Sequence, residues 1–183
     1  MSRLQAIDPQ TATGKAKELL DGVQAKLGVT PNLMRTLANS PAVLEAYLNF
    51  SGTLAKGKLG AKVREQIALV VADTNQCEYC LATHSYIGKS AGLTPEAIAD
   101  SRRATSSDAK TSAILTFAQK LVINRGIVSD RELELVKEAG ITEGEIAEII
   151  GAVALNIFTN YFNRLANTVI DFPVVATGMA AVA

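Results

Sequence analysis

The sequence predicts an all-α fold, and three features carry that prediction. Cap-type residues precede proline at Thr30-Pro31, Ser40-Pro41 and Thr94-Pro95, the pattern of a helix start. Ser129 to Glu132 and Thr142 to Glu145 have the capping-box spacing. Apolar residues then recur at steps of three and four, with no alternating run bounded by hairpin turns to compete with them.

The elements follow in order. A first helix over 13–27 ends at Gly28, a residue suited to the left-handed C′ position. Thr30-Pro31 opens a helix over 31–38, and Ser40-Pro41 opens one over 41–56. In the latter, Leu44, Tyr47, Leu48, Ser51, Leu54 and Ala55 share a face. Over 61–73, Val63, Ile67, Val70 and Val71 form such a stripe. The next helix spans 76–91, with Thr74 or Asn75 as its cap, and Thr94-Pro95 opens 95–103. A helix over 108–124 aligns Ile114, Phe117, Ala118, Leu121 and Val122 and stops before Gly126. The two capping boxes open 130–139, closed by Gly140, and 143–167. Residues 168–183 carry no helical punctuation and predict an extended tail packed on a neighbouring subunit. The chain reads as one domain, 1–183. Its N-terminal half is 1–103, its C-terminal helical half is 108–167, and RRATSSDAK is the boundary between them.

Composition excludes several classes of function. Eighteen basic residues balance eighteen acidic ones in a chain of 183 residues. That balance, with no basic block, leaves no electrostatic footprint for nucleic acid or anionic lipid. The most apolar stretch, IAEIIGAVALNIF, is too short to span a bilayer and is broken by Glu148 and Asn156. No signal-peptide pattern opens the chain, so a cytoplasmic location is expected. Walker, dinucleotide-fingerprint and G-x-S-x-G motifs are absent. A hydrophobic content of 48% exceeds what one small core hides, which predicts an exposed apolar face and a homo-oligomer.

Both cysteines and the single histidine fall in CEYCLATH, Cys77 to His84. Near a helix start, free N–H groups and the positive end of the helix dipole stabilise a thiolate. Cys77 and Cys80, three apart, can form a disulfide with little backbone change. Cys80 and His84, four apart, share a helix face that continues to Gly88, which leaves space beside it. The parts are those of a thiolate–disulfide cycle with an imidazole as proton carrier. Other readings compete. Buried cysteines pack as small hydrophobes, and a lone imidazole can be a satisfied core group. Structural zinc takes four ligands, and Glu65 or a second subunit would have to complete the set. A c-type haem site needs His where Leu81 stands, and a thioredoxin motif needs a preceding strand.

The wider stretch KVREQIALVVADTNQCEYCLATHSYIGKSAGLTPEAI resembles the carboxymuconolactone decarboxylase superfamily, in its alkylhydroperoxidase D-like branch. That branch places a Glu twelve residues before the first cysteine of C-x-x-C and a His four after the second. Glu65, Cys77, Cys80 and His84 match each spacing. The likeness is dense over 61–100, and a weaker similarity to the peroxidase-related group extends through NIFTNYFNRLANTVIDFP. The resemblance implies an all-helical homo-oligomer, a trimer or hexamer, that reduces hydroperoxides without a bound cofactor or metal. It implies Cys80 as the peroxidatic thiol and Cys77 as the resolving one, although the helix dipole alone favours Cys77 as the more acidic thiol. It implies Glu65 as the far end of the relay, acting on His84 directly or through water. By composition alone Glu65 would be a surface carboxylate. One departure stands out. The fullest family pattern has a second His directly before the second cysteine, and this chain has Tyr79. A phenol with an ordinary pKa near 10 is a poor base at neutral pH.

Two further groups are candidates. Asn156, Asn160, Asn163 and Asn167, with Arg164 beside them, align on the last helix. They form its solvated or hydrogen-bonded side, or else a wall of a pocket or subunit interface facing the dithiol. Tyr47 and Phe50 pack in the core or close an apolar pocket. The resulting expectation is a cytoplasmic, antioxidant thiol peroxidase-like oxidoreductase, reset by a protein dithiol or small thiol such as a lipoyl group. The alternatives are a lactone decarboxylase or isomerase with His84 as base, and a non-enzymatic oligomer switched by its disulfide.

Overall fold

A computed structural model describes residues 2–176. The described residues form nine helices and no strand: α1 Gly14–Leu27, α2 Asn32–Leu37, α3 Pro41–Leu54, α4 Ala61–Thr74, α5 Glu78–Ser90, α6 Pro95–Arg102, α7 Ala109–Ile123, α8 Asp130–Glu138 and α9 Glu143–Ala166. Each expected helix is present.

The caps explain most boundaries. Thr94 Oγ1 accepts from the Ala97 N–H, and both predicted capping boxes form, at Ser129/Glu132 and Thr142/Glu145. Gly28, Gly126 and Gly140 all take positive φ after their helices. Two expected caps are not made. Thr30 spends its hydroxyl on Gln24 Oε1, so α2 starts a residue later than expected, and its Asn32 N–H bonds Asp171 of the tail at 2.6 Å. Ser40 stands at the N-cap of α3 without a side-chain bond.

The start of α5 also differs from expectation. α4 runs on to Thr74, whose hydroxyl donates back to the Val70 carbonyl, while Asn75 donates its amide to Asn160 on α9. Neither residue is left to cap α5. Cys77 itself is the N-cap, and its Sγ accepts from the Cys80 N–H at 3.3 Å.

α4 organises the packing. Every residue from Gln66 to Asp73 is buried. A helix covered on all sides must be apolar on more than one face. Leu69 and Ala72 join a core with α1, α2, α3 and α5, while Ile67, Val70 and Val71 join a second core with α7, α8 and α9. The single stripe read from the sequence is therefore only one of its two buried faces. At its C-terminus, Asp73 Oδ1 accepts from Nε and Nη2 of Arg102 on α6, at 3.0 and 2.9 Å. The pair is buried, and Arg102 Nη2 also reaches the Ala176 carbonyl.

The tail over 168–176 lies on its own chain rather than reaching away from it. Asp171 meets α2, and Phe172 packs edge-on against Tyr79 and beside Tyr86. The expected continuation to 183 lies outside the described residues.

The α9 cap provides a stability test. Thr142→Ala removes a capping bond worth about 1 kcal/mol. In a chain of this length that lowers Tm by about 2–4 °C, read by circular dichroism. Glu145 in the same box is held down to about 2 by its bond from Lys110 and then by the Thr142 N–H. Its contribution is complete above the ordinary carboxylate value of 4.5 and is lost as pH falls toward about 2. Glu145→Gln should therefore flatten that part of the acid-unfolding curve.

Candidate functional site

The reversal between α4 and α5 builds the site. It occupies Asn75 to Cys77, with Gln76 at φ +54° and the Cys77 N–H bonded to the Ala72 carbonyl. The two helices then run back along each other. Glu65, on α4, meets His84, on α5, with 2.8 Å between Oε2 and Nδ1. No bridging water is needed. The carboxylate accepts from Nδ1–H, which leaves Nε2 as the nitrogen that can exchange a proton. Both side chains keep about a fifth of their surface exposed. Gly88, expected to leave space, is instead a close-approach point, because a Cβ there would lie 3.0 Å from Leu93 Cδ1 and 3.9 Å from Glu65 Cβ.

Cys77 and Cys80 are joined as a disulfide, with Cα atoms 5.3 Å apart. Both are almost wholly buried. Asn163 on α9 donates its amide to Cys80 Sγ at 3.4 Å. Asn156, Asn160 and Asn163 are buried, so this side of α9 is an interior polar seam rather than a solvated face. The regular asparagine spacing was the only sign of it in the sequence.

Cys80, His84 and Glu65 line one cavity of about 370 Å³. Leu33, Met34, Tyr47, Ile87 and Phe172 supply much of its apolar wall, and Asn156 and Asn163 join the polar groups. An apolar cavity of this size with a few convergent polar groups suits a small organic ligand. Tyr47 thus lies in the wall while packing on the first core, whereas Phe50 is exposed. Burial first, and then the charge of Glu65, push the Tyr47 hydroxyl up to about 12, so it stays a neutral donor.

Tyr79, in the position of the family's second His, is buried against α2. Its hydroxyl accepts from the Leu33 N–H at 3.1 Å. Burial above all, with Asp171 adding to it, holds its pKa far above the ordinary tyrosine value. This phenol positions α2 and stays protonated at neutral pH.

Cys77 faces a second hollow, a cleft of about 330 Å³ lined also by Gln76, Glu78, Arg164 and Asn167. Tyr79 and Asn163 border both spaces. Among the described residues, no group of three or more His, Cys, Asp or Glu side chains is placed to hold a metal ion, and no helix is long and apolar enough to cross a membrane.

Comparison with known proteins agrees with this architecture. Residues 41–122 match the carboxymuconolactone decarboxylase family. An uncharacterized protein from Haemophilus influenzae is 46% identical over 46 residues, a match that spans 25% of this chain and 41% of that protein. A peroxidase-related protein with an alkylhydroperoxidase AhpD core, from Ralstonia eutropha JMP134, superposes with a TM-score of 0.82 at 23% identity, covering 93% of this chain and 92% of its own. A peroxidase-related protein from Silicibacter sp. TM1040 gives 0.79 at 23% identity, with 92% and 94% covered. The debrominase Bmp8, as a cysteine-to-alanine variant with bound 2,3,4-tribromopyrrole, gives 0.79 at 17%, with 93% and 92% covered. The chain therefore has the fold of the alkylhydroperoxidase AhpD core, and its residues 41–122 match the carboxymuconolactone decarboxylase family.

Proposed function

We propose that the protein is a thiol-dependent peroxidase that reduces small apolar hydroperoxides. The observation that carries this reading is the convergence of Cys80 with the Glu65–His84 pair on one apolar cavity, with Cys77 already within bonding reach of Cys80. In the reduced enzyme His84, oriented by Glu65, takes the Cys80 proton. The Cys80 thiolate attacks the near oxygen of the peroxide, the O–O bond breaks, and the leaving alkoxide takes a proton from the imidazolium. Cys80 is then a sulfenic acid. The Cys77 thiol displaces its hydroxyl as water and forms the disulfide. Two electrons have passed from the dithiol to the peroxide. Two equivalents of a thiol, or one dithiol such as a lipoyl group, return them.

The same chemistry leaves the lactone decarboxylase reading less well supported, because proton transfer at carbon has no use for a dithiol beside the base. Bmp8 raises another substrate class, since a dithiol can also reduce a carbon–bromine bond. The exposed apolar side chains Ile150, Phe158, Tyr161 and Leu165 along α9 fit a homo-oligomer, a trimer or hexamer, working in the cytoplasm.

The test is hydroperoxide consumption with cumene hydroperoxide and a dithiol reductant, run beside tribromopyrrole. Wild type should consume the peroxide and Cys80→Ser should not. His84→Gln should slow turnover by about 10²–10⁴, the range for a lost general base. Peroxide turnover that survives Cys80→Ser, or bromopyrrole turnover without peroxide turnover, would remove the assignment. Tyr79→Phe separates a structural from a catalytic phenol. It orphans the Leu33 N–H at a cost of about 1–3 kcal/mol in stability. The pH profile of turnover should stay that of wild type, and a displaced profile would give Tyr79 a proton-transfer role.

A further inference from the structure

The two halves of the disulfide border two unlike spaces. Cys80 belongs to the apolar cavity with His84 and Glu65, and Cys77 belongs to the polar cleft at the start of α5. Thiol–disulfide exchange is a displacement at sulfur in which the entering thiolate, the attacked sulfur and the leaving sulfur align. A thiol that enters through the cleft meets Cys77, and Cys80 is then the leaving group. A thiol that enters through the cavity meets Cys80.

We infer that the cleft is the entry site of the reductant, and that it takes a polar thiol bearing a carboxylate, as a cysteine-containing peptide does. The inference rests on the peroxidase reading, since it concerns the return half of the same cycle. Three observations support it. The cleft wall carries carboxamides and both signs of charge: Gln76, Asn163, Asn167, Arg164 and Glu78. Arg164 is exposed, and Nη1 is fixed by a 2.6 Å bond to the Asn75 carbonyl, so its guanidinium is held at the cleft with further N–H donors for a carboxylate. Asn163 and Thr168, both more than nine-tenths buried in that wall, hold atoms Oδ1 and Oγ1 without a hydrogen-bond partner among the described residues. Unsatisfied buried polar atoms at the edge of a cleft favour a polar occupant over an apolar one.

The leaving side is equally well arranged. When the entering thiolate bonds to Cys77 Sγ, the S–S bond breaks and its electron pair goes to Cys80. There the Asn163 amide already donates to the sulfur, and the Glu65–His84 pair lies in the same cavity. A second thiolate attacks the external sulfur of the Cys77 mixed disulfide and releases Cys77 and a small-molecule disulfide. The protons of the two thiols end on Cys80 and Cys77. Oxidant and reductant thus engage different sulfurs of one bond.

The test starts from protein oxidised with diamide, with no hydroperoxide present, so it does not depend on the oxidative half-reaction. Oxidised protein is mixed with glutathione, quenched with an alkylating agent, and mapped by peptide mass spectrometry. The glutathione adduct should sit on Cys77 with the alkyl group on Cys80. An adduct on Cys80, or no reduction by glutathione, would overturn the inference. Val169→Trp narrows the cleft from an exposed wall position. It should slow reduction by glutathione at least tenfold more than it slows oxidation of the dithiol by hydroperoxide, and equal slowing of both would overturn the proposed entry. Arg164→Gln should raise the glutathione concentration needed for half-maximal rate about tenfold, while 2-mercaptoethanol, which has no carboxylate, changes little. An equal loss with both thiols would assign Arg164 to holding Asn75 and overturn the carboxylate contact. A failure of the peroxidase reading would appear instead as a dithiol that hydroperoxide does not oxidise.

Discussion

The site depends on one constraint, the tight reversal that folds α5 back along α4. Because the turn uses only Asn75 to Cys77, positions on the two helices are paired by sequence distance from it. Glu65 stands ten residues before Asn75 and His84 nine after, and they meet at 2.8 Å. A longer loop would free the helices to slide, and the carboxylate would lose its fixed partner. The reversal is in turn anchored at Asp73, the residue before the last of α4. A carboxylate buried there without a partner would be costly, and Arg102 supplies two N–H bonds to it. The anchor does not make a buried ion pair a large source of net stability. It makes the alternative arrangement, with either charge unpaired, expensive. Position rather than strength is what the pair contributes.

That geometry also explains what could be read from the sequence. Helix ends are local events, set by a hydroxyl or carboxylate within three residues of an N–H, so Thr94, Ser129 and Thr142 were visible as caps. The Glu–Cys–Cys–His spacing was visible because the turn is short enough to make sequence distance a proxy for distance in space. Three of the failures share a cause. Thr30 finds Gln24, Thr74 bonds back to Val70 and Asn75 finds Asn160, so each of these cap-type residues is used elsewhere. A propensity for capping does not say which of two available partners wins. Cys77 takes the N-cap of α5 by default, and its sulfur receives the N–H of Cys80.

The asparagines of α9 were the least legible part. Their spacing marks a face, but a polar face usually meets solvent, and only the tertiary packing turns this one inward. Asn160 meets the reversal through Asn75, and Asn163 meets Cys80. α9 therefore touches the dithiol at both its turn and its sulfur. An uncharged amide suits that position. A lysine there would bury a charge beside an apolar cavity, and a leucine would leave Cys80 Sγ without its amide donor.

Tyr79 follows the same logic from the opposite side. A histidine in its place would add a second imidazole near the Glu65–His84 pair. The phenol instead accepts the Leu33 N–H, packs on Phe172, and borders the cavity and the cleft at once. It is a fixed partition that does not titrate near neutral pH. With that partition in place, the titratable groups on the cavity side include the paired His84 and Glu65, while the cleft side offers amides, one guanidinium and the Glu78 carboxylate. The two spaces that Cys80 and Cys77 border therefore differ in chemistry, and Tyr79, one of the two residues between the cysteines, lies in the wall of both.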